Sequence, residues 1–292
     1  MNEQLILKSP AKINLRLEIL GKRGDGYHDL MTIFQKINLH DTLHFSLKKG
    51  RGIAIRADHP DLPVGKKNLI YRAAQSMLKI SNRREGVEIE IEKHIPLGAG
   101  LGGGSSNAAT TLMALNRLLK TKLSRKQLMR LGVEIGADVP FFFLKGAALA
   151  LGIGERLKEI KVPELWLILI YPNFEVSTRW AYQKFDSSGP SERLTNQAFR
   201  INLGKFLKNP RGVSQVLFND LGAVVSKEYP QIELMKKMLS SNGAIGALMT
   251  GSGPTVFGIF PEERSVTKAF ENIKRLASKK RWTVFKAHSI AD

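Results

Sequence analysis

The sequence predicts an α+β protein of two domains, and three observations lead to this prediction. The chain has 292 residues, 43% of them hydrophobic, which is enough for two ordinary domains with a buried core. Strand-like and helical segments alternate in its first half. A second group of strands and amphipathic helices follows residue 160. We therefore predict an N-terminal domain over residues 1–160 and a C-terminal domain over residues 161–292.

Alternation of apolar and polar residues predicts the strands of the first half. Every second residue is apolar between residues 12 and 19, which is the pattern of a half-buried strand. A turn is predicted at residues 21–26, where glycines cluster. Further alternation over residues 43–47, 53–55 and 87–92 predicts a sheet that is mainly antiparallel.

Capping residues and helical spacing predict the helices. Asn68 can cap a helix whose apolar residues follow it at helical spacing. Ser124 and Gln127 form the sequence pattern of a capping box at the start of another helix. The second half is expected to form helices over residues 231–239 and 265–277, strands over residues 166–171, 256–260 and 283–287, and a surface loop over residues 184–191.

A glycine-rich segment, Pro96–Asn107, lies between a predicted strand and a predicted helix. It contains five glycines within Gly98–Gly104. Glycine lets a backbone turn tightly and approach a ligand, and the free N–H groups at a helix start favour phosphate. The alternative is a tight strand-to-helix connection, but such a connection rarely needs five glycines. We therefore predict that this loop binds the phosphates of a nucleotide.

The loop differs from two known phosphate-binding motifs. A P-loop has a lysine after its last glycine, whereas Ser105 follows Gly104 here. The spacing of Gly98, Gly100 and Gly103 matches the dinucleotide fingerprint, but the chain lacks the acidic residue expected about 20 residues later. The loop is therefore predicted to bind phosphate without a lysine of its own.

Asp138 and Lys12 are the candidates for catalysis of phosphoryl transfer. Such a reaction needs a base near the attacking hydroxyl, and a lysine beside that base can keep it ionised. Asp138 precedes the apolar run Val139–Phe143, where a carboxylate is costly without a role or a partner. The alternative for Asp138 is a turn or capping residue, and spacing alone does not decide. For Lys12, sequence alone favours a solvent-facing strand residue.

Two turns are further candidates for ligand binding. Gly24–His28 carries an aromatic ring and an imidazole, which can stack on and hydrogen-bond a heterocycle. Thr250–Thr255 leads into a predicted strand and could bring backbone donors towards a phosphate. A purely structural turn is the alternative for both segments.

Composition limits the other function classes. The formal net charge is +19, which would suit a phosphate-rich partner such as nucleic acid. However, the basic residues form short groups without regularly interleaved aromatic rings, which favours a solvated basic surface. The chain has no cysteine, no apolar run long enough to span a membrane and no apparent targeting segment, so we expect a cytoplasmic location, no membrane partner and no thiolate metal site.

Four segments resemble the ordered motifs of the galactokinase, homoserine kinase, mevalonate kinase and phosphomevalonate kinase (GHMP) superfamily. They are Pro10–Asn14, Pro96–Ala109, Gly136–Phe142 and Thr250–Pro254. This resemblance implies an N-terminal domain like ribosomal protein S5 domain 2 and a ferredoxin-like α/β sandwich as the C-terminal domain.

Three segments resemble one family within this superfamily more narrowly. Gly24–His28, Gly102–Asn107 and Gly152–Glu155 are similar to the 4-diphosphocytidyl-2-C-methyl-D-erythritol kinases. That family implies transfer of phosphate from ATP to the 2-hydroxyl of a cytidyl-linked methylerythritol, in non-mevalonate isoprenoid precursor synthesis. Mg²⁺ would arrive with the nucleotide as MgATP, and Ser105 or Ser106 could approach it, with no dedicated metal site on the protein.

The resemblance also implies roles for individual residues. Asp138 would be the base and Lys12 its charged neighbour. The substrate would meet Asn14, Tyr27, His28, Thr178 and Tyr182, with Tyr182 as a ring that stacks on cytosine. ATP would be bound by Pro96, Leu97, Gly98, Ala99, Gly100, Leu101, Gly102, Gly103, Gly104, Ser105 and Ser106, together with Asn68, Leu69 and Lys93.

Two alternatives remain open at this point. Another kinase of the superfamily, of the homoserine or mevalonate type, would share the glycine loop without needing the Tyr27–His28 turn. An RNA-binding protein would explain the charge, since the N-terminal fold of the superfamily resembles a ribosomal domain, but it would give the glycine loop no purpose. The expected partner is a small cytidyl-diphosphate sugar alcohol, nucleic acid is not expected to be one, and the protein would be a monomer or a homodimer.

Overall fold

The computed structural model describes residues 4–81, 84–188, 202–207 and 209–290. The chain forms two compact units, each built from several stretches of sequence. Unit 1 consists of Met1–Ala11, Leu39–Leu97 and Gly102–Leu144, and unit 2 consists of Lys12–Asn38, Gly98–Leu101 and Lys145–Asp292. The boundary at residue 160 stays a prediction about domains, and we describe the two units separately.

Strands and helices alternate along the chain. The strands are β1 (Gln4–Lys22), β2 (His28–Lys48), β3 (Ile53–Ala57), β4 (Gly86–Glu92), β5 (Ala147–Gly152), β6 (Arg156–Ile160), β7 (Trp166–Tyr171), β8 (Phe218–Asn219), β9 (Gly246–Met249), β10 (Val256–Phe260) and β11 (Thr283–His288). The α-helices are α1 (Leu69–Ser81), α2 (Gly103–Leu118), α3 (Arg125–Ile135), α4 (Thr178–Ser188), α5 (Asp220–Glu228), α6 (Gln231–Ser241) and α7 (Glu263–Ser278). Two 3₁₀ helices span Val139–Phe143 and Pro210–Gln215, and residues 202–207 are helical.

Unit 1 combines a small sheet with three helices. Strand β4 pairs antiparallel with the second half of β2 and parallel with β3. Helix α1 packs against α2 and α3. The predicted caps are confirmed: Asn68 Oδ1 accepts from the N–H of Ile70, and Ser124 with Gln127 forms a capping box.

Unit 2 contains two groups of strands. Strand β5 pairs antiparallel with the first half of β2 and with β6, and β8 pairs parallel with β1. A second sheet has the order β11-β7-β10-β9, and all of its pairings are antiparallel. Helices α6 and α7 pack on this sheet. The prediction of a mainly antiparallel sheet therefore holds, with β3–β4 and β1–β8 as parallel exceptions.

Strand β1 differs from the half-buried strand that the sequence predicts. It begins at Gln4, so Lys12 lies in its middle rather than at its start, and both faces are buried from Ala11 to Ile19. The interpretation of Lys12 as solvent-facing is wrong, since Lys12 is only 4% exposed. Burial of the polar residues is possible because they have partners within hydrogen-bonding distance, as in the ion pair between Arg16 and Glu18.

Two other segments differ from the sequence prediction. Helix α2 begins at Gly103, so the last residues of the predicted glycine loop form its first turn. Gly102 has φ +70, a conformation that glycine adopts without strain and that redirects the chain into the helix. Helix α4 continues to Ser188, where a surface loop over residues 184–191 was predicted, and residues 189–191 lie outside the described part of the chain. No helix in the described residues combines the length and apolar character that a membrane span requires.

Candidate active site

In unit 2 two glycine-containing segments approach each other closely. Gly100 has φ +77, and a Cβ added there would lie 2.5 Å from the carbonyl oxygen of Thr250. The facing loop is held by its own backbone, because the N–H of Thr250 donates to Thr255 and the N–H of Gly253 donates back to Thr250. Only a residue without a side chain fits at Gly100 in this arrangement.

Lys12 lies beside these two segments. Its backbone N–H donates to the carbonyl of Leu101 at 2.9 Å. Its Nζ donates to Asn14 Oδ1 at 2.7 Å and lies 5.3 Å from the centre of the Phe34 ring. A Cβ added at Gly251 would be 3.4 Å from this Nζ. The fold therefore places a buried ammonium group next to both glycine segments of unit 2.

A hydrogen-bond network around Asn14 connects β1 with the loop at Thr250. The backbone N–H of Asn14 donates to Thr250 Oγ1 at 2.9 Å, and that hydroxyl is 3.3 Å from Asn14 Oδ1. Asn14 Nδ2 donates to Thr32 Oγ1 at 2.8 Å. The amide group of Asn14 is thus fixed at both ends, which orients the oxygen that accepts from Lys12.

Asn219 is a second residue of unit 2 that anchors this loop. Its Nδ2 donates to the carbonyls of Met249 at 2.7 Å and Gly251 at 2.9 Å. Its Oδ1 accepts from the N–H groups of Leu221 and Gly222 and caps helix α5. One side chain therefore ties a helix start to the loop that faces Gly100.

In unit 1 the start of α2 meets two other predicted site segments. A Cβ on Gly104 would lie 3.7 Å from Leu69 Cδ1, and a Cβ on Gly136 would lie 4.0 Å from both Leu69 Cδ1 and Ser105 Oγ. The first turn of α2 contains no acidic residue, and its N–H groups point out of the helix end. Leu69, the α2 start and the Gly136 turn therefore lie together.

The two serines after the triple glycine have different environments. Ser106 is fully buried and its hydroxyl accepts from Ser9 at 2.8 Å. Ser105 is partly exposed. Of the two predicted metal-approaching serines, Ser105 is therefore the one whose side chain a ligand can reach.

Lys93 and Asn68 have partners within unit 1. Lys93 Nζ donates to Asp41 Oδ2 at 2.8 Å and to the carbonyl of Ile95. Burial lowers the pKa of Lys93 from its ordinary value, and the Asp41 carboxylate opposes that change. A Cβ on Gly103 would lie 3.3 Å from Lys93 Nζ, so this ammonium lies near the start of α2. Asn68 Nδ2 donates to Pro63, and its Oδ1 caps α1.

Asp138 is positioned at the end of a turn. It is the residue before the 3₁₀ helix Val139–Phe143, and its carbonyl accepts from Phe141. Its side chain forms no capping hydrogen bond to that helix and is partly exposed. Asp138 therefore occupies the N-cap position of this 3₁₀ helix through its backbone, and its carboxylate does not act as the cap.

The predicted substrate residues His28 and Tyr182 lie together in unit 2. Their rings stack with centroids 4.9 Å apart and an angle of 28° between planes. His28 Nε2 lies 2.6 Å from Asp186 Oδ1, and Lys22 Nζ donates to Asp186 Oδ2 at 2.7 Å. The hydrogen bonds from Lys22 and His28 lower the pKa of Asp186 from its ordinary value.

Tyr27 and Thr178 occupy exposed positions in unit 2. Tyr27 is 60% exposed at the turn before β2. Thr178 Oγ1 is 2.8 Å from Ser252 Oγ, which brings the start of α4 to the loop that faces Gly100. The motif Gly152–Glu155 closes the β5–β6 hairpin, where Glu155 Oε2 accepts from the N–H of Ile153.

Sequence reasoning missed three residues that shape these regions. Asp186 follows Tyr182 by four residues, a spacing that would have placed both on one face of a helix. Asn219 precedes an apolar helical stretch, which is an N-cap signal. Asp41 accepts from Lys93 and from the N–H groups of His94 and Ile95, which no local sequence signal predicts.

Two family models match this chain. The model for the GHMP kinases N terminal domain matches residues 68–146, and the model for the GHMP kinases C terminal domain matches residues 202–279. Together with the glycine loop that opens α2, these matches define a small-molecule kinase of the GHMP class, and they confirm the predicted α+β fold.

A relative from Syntrophus aciditrophicus (strain SB), a 4-diphosphocytidyl-2-C-methyl-D-erythritol kinase, is 46% identical over 98% of this chain and 99% of its own length. A second relative of the same name, from Geobacter sulfurreducens, is 44% identical over 93% of this chain and 95% of its own length. The chain belongs to the family of 4-diphosphocytidyl-2-C-methyl-D-erythritol kinases.

Solved structures agree with this family. The crystal structure of a 4-(cytidine 5'-diphospho)-2C-methyl-D-erythritol kinase has a TM-score of 0.80 and 32% identity, covering 99% of this chain and 100% of that one. A homoserine kinase from Cytophaga hutchinsonii has a TM-score of 0.76 at 21% identity, covering 100% and 96%, and shows the shared fold alone.

Proposed function

We propose that this protein transfers the γ-phosphoryl group of ATP to the 2-hydroxyl of 4-diphosphocytidyl-2-C-methyl-D-erythritol, a step of non-mevalonate isoprenoid precursor synthesis. The names of its full-length relatives support both the kinase activity and this substrate. The alternative of a homoserine or mevalonate kinase has less support, since the homoserine kinase above shares the fold at much lower identity.

One observation carries the phosphoryl-transfer part of the proposal. In unit 2 the buried Lys12 ammonium lies beside two glycine segments, at Gly100 and Gly251, which a Cβ would bring into conflict with neighbouring atoms. Glycine backbones next to a fixed positive charge form a surface that suits phosphate oxygens. A purely structural turn would not need an ammonium group buried at this point.

The fit to a nucleotide is supported by the unit 1 part of the loop as well. The N–H groups at the start of α2 lack partners within the helix and carry its positive dipole end. In unit 2, described separately, Thr255 Oγ1 is buried without a hydrogen-bond partner in the described residues and lies at the end of the loop that begins at Thr250. Each of these features favours an oxygen-rich ligand.

Mg²⁺ is proposed to enter with ATP rather than to occupy a site of its own. Mg²⁺ commonly keeps several waters and is held by substrate phosphates with one or two protein oxygens. Ser105 is the serine that could supply such an oxygen, and the metal would offset phosphate charge.

We assign the remaining roles from the family resemblance. Asp138 would accept the proton of the attacking hydroxyl, and Lys12 would offset negative charge as the phosphoryl group is transferred. Asn14 would orient Lys12 and contact the substrate. Tyr27, His28, Thr178 and Tyr182 would bind the cytidine portion. Contacts of Asn68, Leu69 and Lys93 with the nucleotide, and a cytoplasmic location, stay predictions.

The test is a direct comparison of substrates. Purified protein would be incubated with MgATP and the cytidyl substrate, homoserine or mevalonate in parallel, and ADP release would be measured. We expect release with the cytidyl substrate and background release with the other two. ADP release with homoserine or mevalonate instead would show that the proposed substrate is wrong, although the protein would still be a kinase of the GHMP class.

A further inference from the structure

Arg72, in the first turn of helix α1, binds the end of helix α3 in unit 1. Its Nη1 donates to the carbonyl of Ile135 at 3.0 Å, and its Nη2 donates to the carbonyl of Glu134 at 2.8 Å. These are the last two residues of α3. Carbonyls in the last turn of a helix have no partner within the helix and lie at the negative end of its dipole. The guanidinium group therefore satisfies both carbonyls and offsets their partial charge.

The two bound carbonyls lie directly before the turn that carries Asp138. Only Gly136 and Ala137 separate the end of α3 from this aspartate. The N–H of Gly136 donates to Gly132 at 3.0 Å, and the N–H of Val139 donates to Gly136 at 3.1 Å. The turn is thus a direct continuation of α3, and a shift at the end of the helix would reach Asp138 through two residues.

The chain that follows Asp138 is fixed by packing. Val139 and Phe141 are fully buried. A Cβ added at Gly132 would lie 3.0 Å from Val139 Cγ1, so α3 and the 3₁₀ helix are in close contact at this point. Buried side chains in a close-packed interior have little freedom to move. The residues that precede Asp138 have no such anchor in the core, since Gly136 and Ala137 are both partly exposed.

Helix α1 contacts this turn at a second point. Leu69 Cδ1 would lie 4.0 Å from a Cβ added at Gly136 and 3.7 Å from one added at Gly104. Leu69 and Arg72 are three residues apart on α1 and are therefore neighbours on its surface. One helix thus packs an apolar side chain beside Gly136 and binds the two carbonyls before it.

We propose that Arg72 is a positioning residue, which holds the end of α3 so that the Asp138 carboxylate stays where it can accept a proton from the substrate. A reacting group has to be held within about 0.5 Å of its productive position. A displacement of about 1 Å can lower the rate about 10²-fold. This inference rests on the proposed function, in which Asp138 is the base.

Three variants test the proposal by steady-state kinetics. Arg72→Met removes both donors and keeps an unbranched side chain, and we expect kcat to fall at least about tenfold with both KM values within about twofold of the wild type. Arg72→Lys keeps the charge and one donor group, and should recover part of this loss. Arg130→Met is the matched control, because it removes the same charge from an exposed position on α3, and it should behave as the wild type. An unchanged kcat in Arg72→Met would overturn the proposal.

A double variant shows whether Arg72 acts through Asp138. When Arg72→Met is combined with Asp138→Asn, kcat should fall no further than in Asp138→Asn alone, because a base that has been removed can no longer be misplaced. If Arg72 only stabilised the fold, the two losses would multiply, and this result would overturn the proposal. Circular dichroism at the assay temperature would establish that all variants are folded.

Amide hydrogen exchange gives a readout that needs no substrate. The N–H groups of Gly136 and Val139 should exchange at least about tenfold faster in Arg72→Met than in the wild type. The N–H of Leu128, which donates to Ser124 at the start of α3, should exchange at the wild-type rate. Unchanged exchange at Gly136 and Val139 would overturn the proposal. A wild-type protein that releases no ADP with the cytidyl substrate would disprove the proposed function, whereas faster exchange would still support Arg72 as the residue that holds this turn.

Discussion

At the scale of single residues, Lys93 and Asp41 form a buried ion pair that stabilises the turn before the glycine loop. The ammonium of Lys93 binds Asp41, and Asp41 also accepts from the backbone N–H groups of His94 and Ile95. Asp41 is fully buried, so these hydrogen bonds are needed to satisfy its carboxylate. Lys93 and Asp41 therefore hold the turn that leads into Pro96, whatever contact Lys93 makes with a nucleotide.

Asp138→Asn tests the proposed base at the scale of one residue. The amide cannot accept the proton of the substrate hydroxyl, so we expect kcat to fall about 10²- to 10⁴-fold. The variant should still fold as the wild type does, since asparagine has nearly the same size and shape as aspartate, and a thermal unfolding transition would show this. Steady-state ADP release and thermal unfolding are the measurements.

Asp61→Asn is the control for this prediction. Asp61 is an exposed aspartate of unit 1, so the same chemical change there should leave kcat unaltered. Near wild-type turnover by a normally folded Asp138→Asn protein would show that the base has been assigned to the wrong residue.

Among the elements of the fold, the glycine loop needs glycine for two reasons. Its backbone adopts positive φ angles, and it lies in close contact with a neighbouring segment of the chain. Gly98 and Gly100 have positive φ angles, and Gly100 also lies against the carbonyl of Thr250. The facing loop is fixed by Asn14 and Asn219, so it cannot easily move away. The element is therefore sensitive to any side chain added at Gly100.

A comparison of Gly100→Ala with Gly50→Ala separates the cost of the positive φ angle from the effect of the close contact with Thr250. Both positions have nearly the same φ, +77 and +79, but a Cβ at Gly50 meets nothing within 4 Å. Gly50→Ala should cost only the backbone strain of about 1–2 kcal/mol in the free energy of unfolding. Gly100→Ala should in addition displace the loop and lower kcat/KM for ATP about 10²-fold.

Denaturant unfolding and steady-state kinetics of both variants check this prediction. Equal kinetic parameters in Gly100→Ala and Gly50→Ala would mean that the close approach to Thr250 is unimportant for activity. A loss of activity confined to Gly100→Ala would support the loop as part of the nucleotide site.

At the scale of the whole molecule, the burial of an ionisable group makes the free energy of unfolding depend on pH. Lys36 is 7% exposed on β2, and burial lowers its pKa from 10.5 to about 8, while Glu159 opposes the change. Between these two pH values the unfolded chain binds one more proton than the folded chain. The free energy of unfolding should therefore rise with pH from about 8 to 10.5, by on the order of 3 kcal/mol.

Lys36→Met should remove this rise, because methionine has no proton to release. Urea unfolding at several pH values would measure it as the difference between variant and wild type. Lys237→Met, at an exposed position of α6, is the control and should leave the pH dependence of the wild type intact. A rise that persists in Lys36→Met would mean that another group causes it.

The charge of the whole molecule leads to a separate prediction. No acidic residue occurs from Lys93 to Val133, and the exposed basic residues Arg117, Lys120 and Arg130 lie in this stretch. We expect at most weak, non-specific RNA binding that disappears as KCl is raised, since it would rest on phosphate contacts alone. Added RNA should leave ADP release with the cytidyl substrate unchanged. Tight RNA binding by a protein without ATP turnover would favour the RNA-binding alternative.

The amino-acid sequence by itself determined the features that depend on neighbouring residues. The strands at residues 166–171 and 256–260, the caps at Asn68 and Ser124, and the glycine loop before α2 all follow from local periodicity and local hydrogen bonding. The family motifs extend this local information to the α+β fold class, which the family models confirm.

Only the tertiary structure decided which distant residues meet. Asp186 binds His28 across 158 positions, and Thr250 binds Asn14 across 236. The burial of Lys12 inside β1 likewise depends on what packs on both faces of that strand. The physical reason is that such contacts are set by the packing of whole elements, about which the residues adjacent in sequence carry no information.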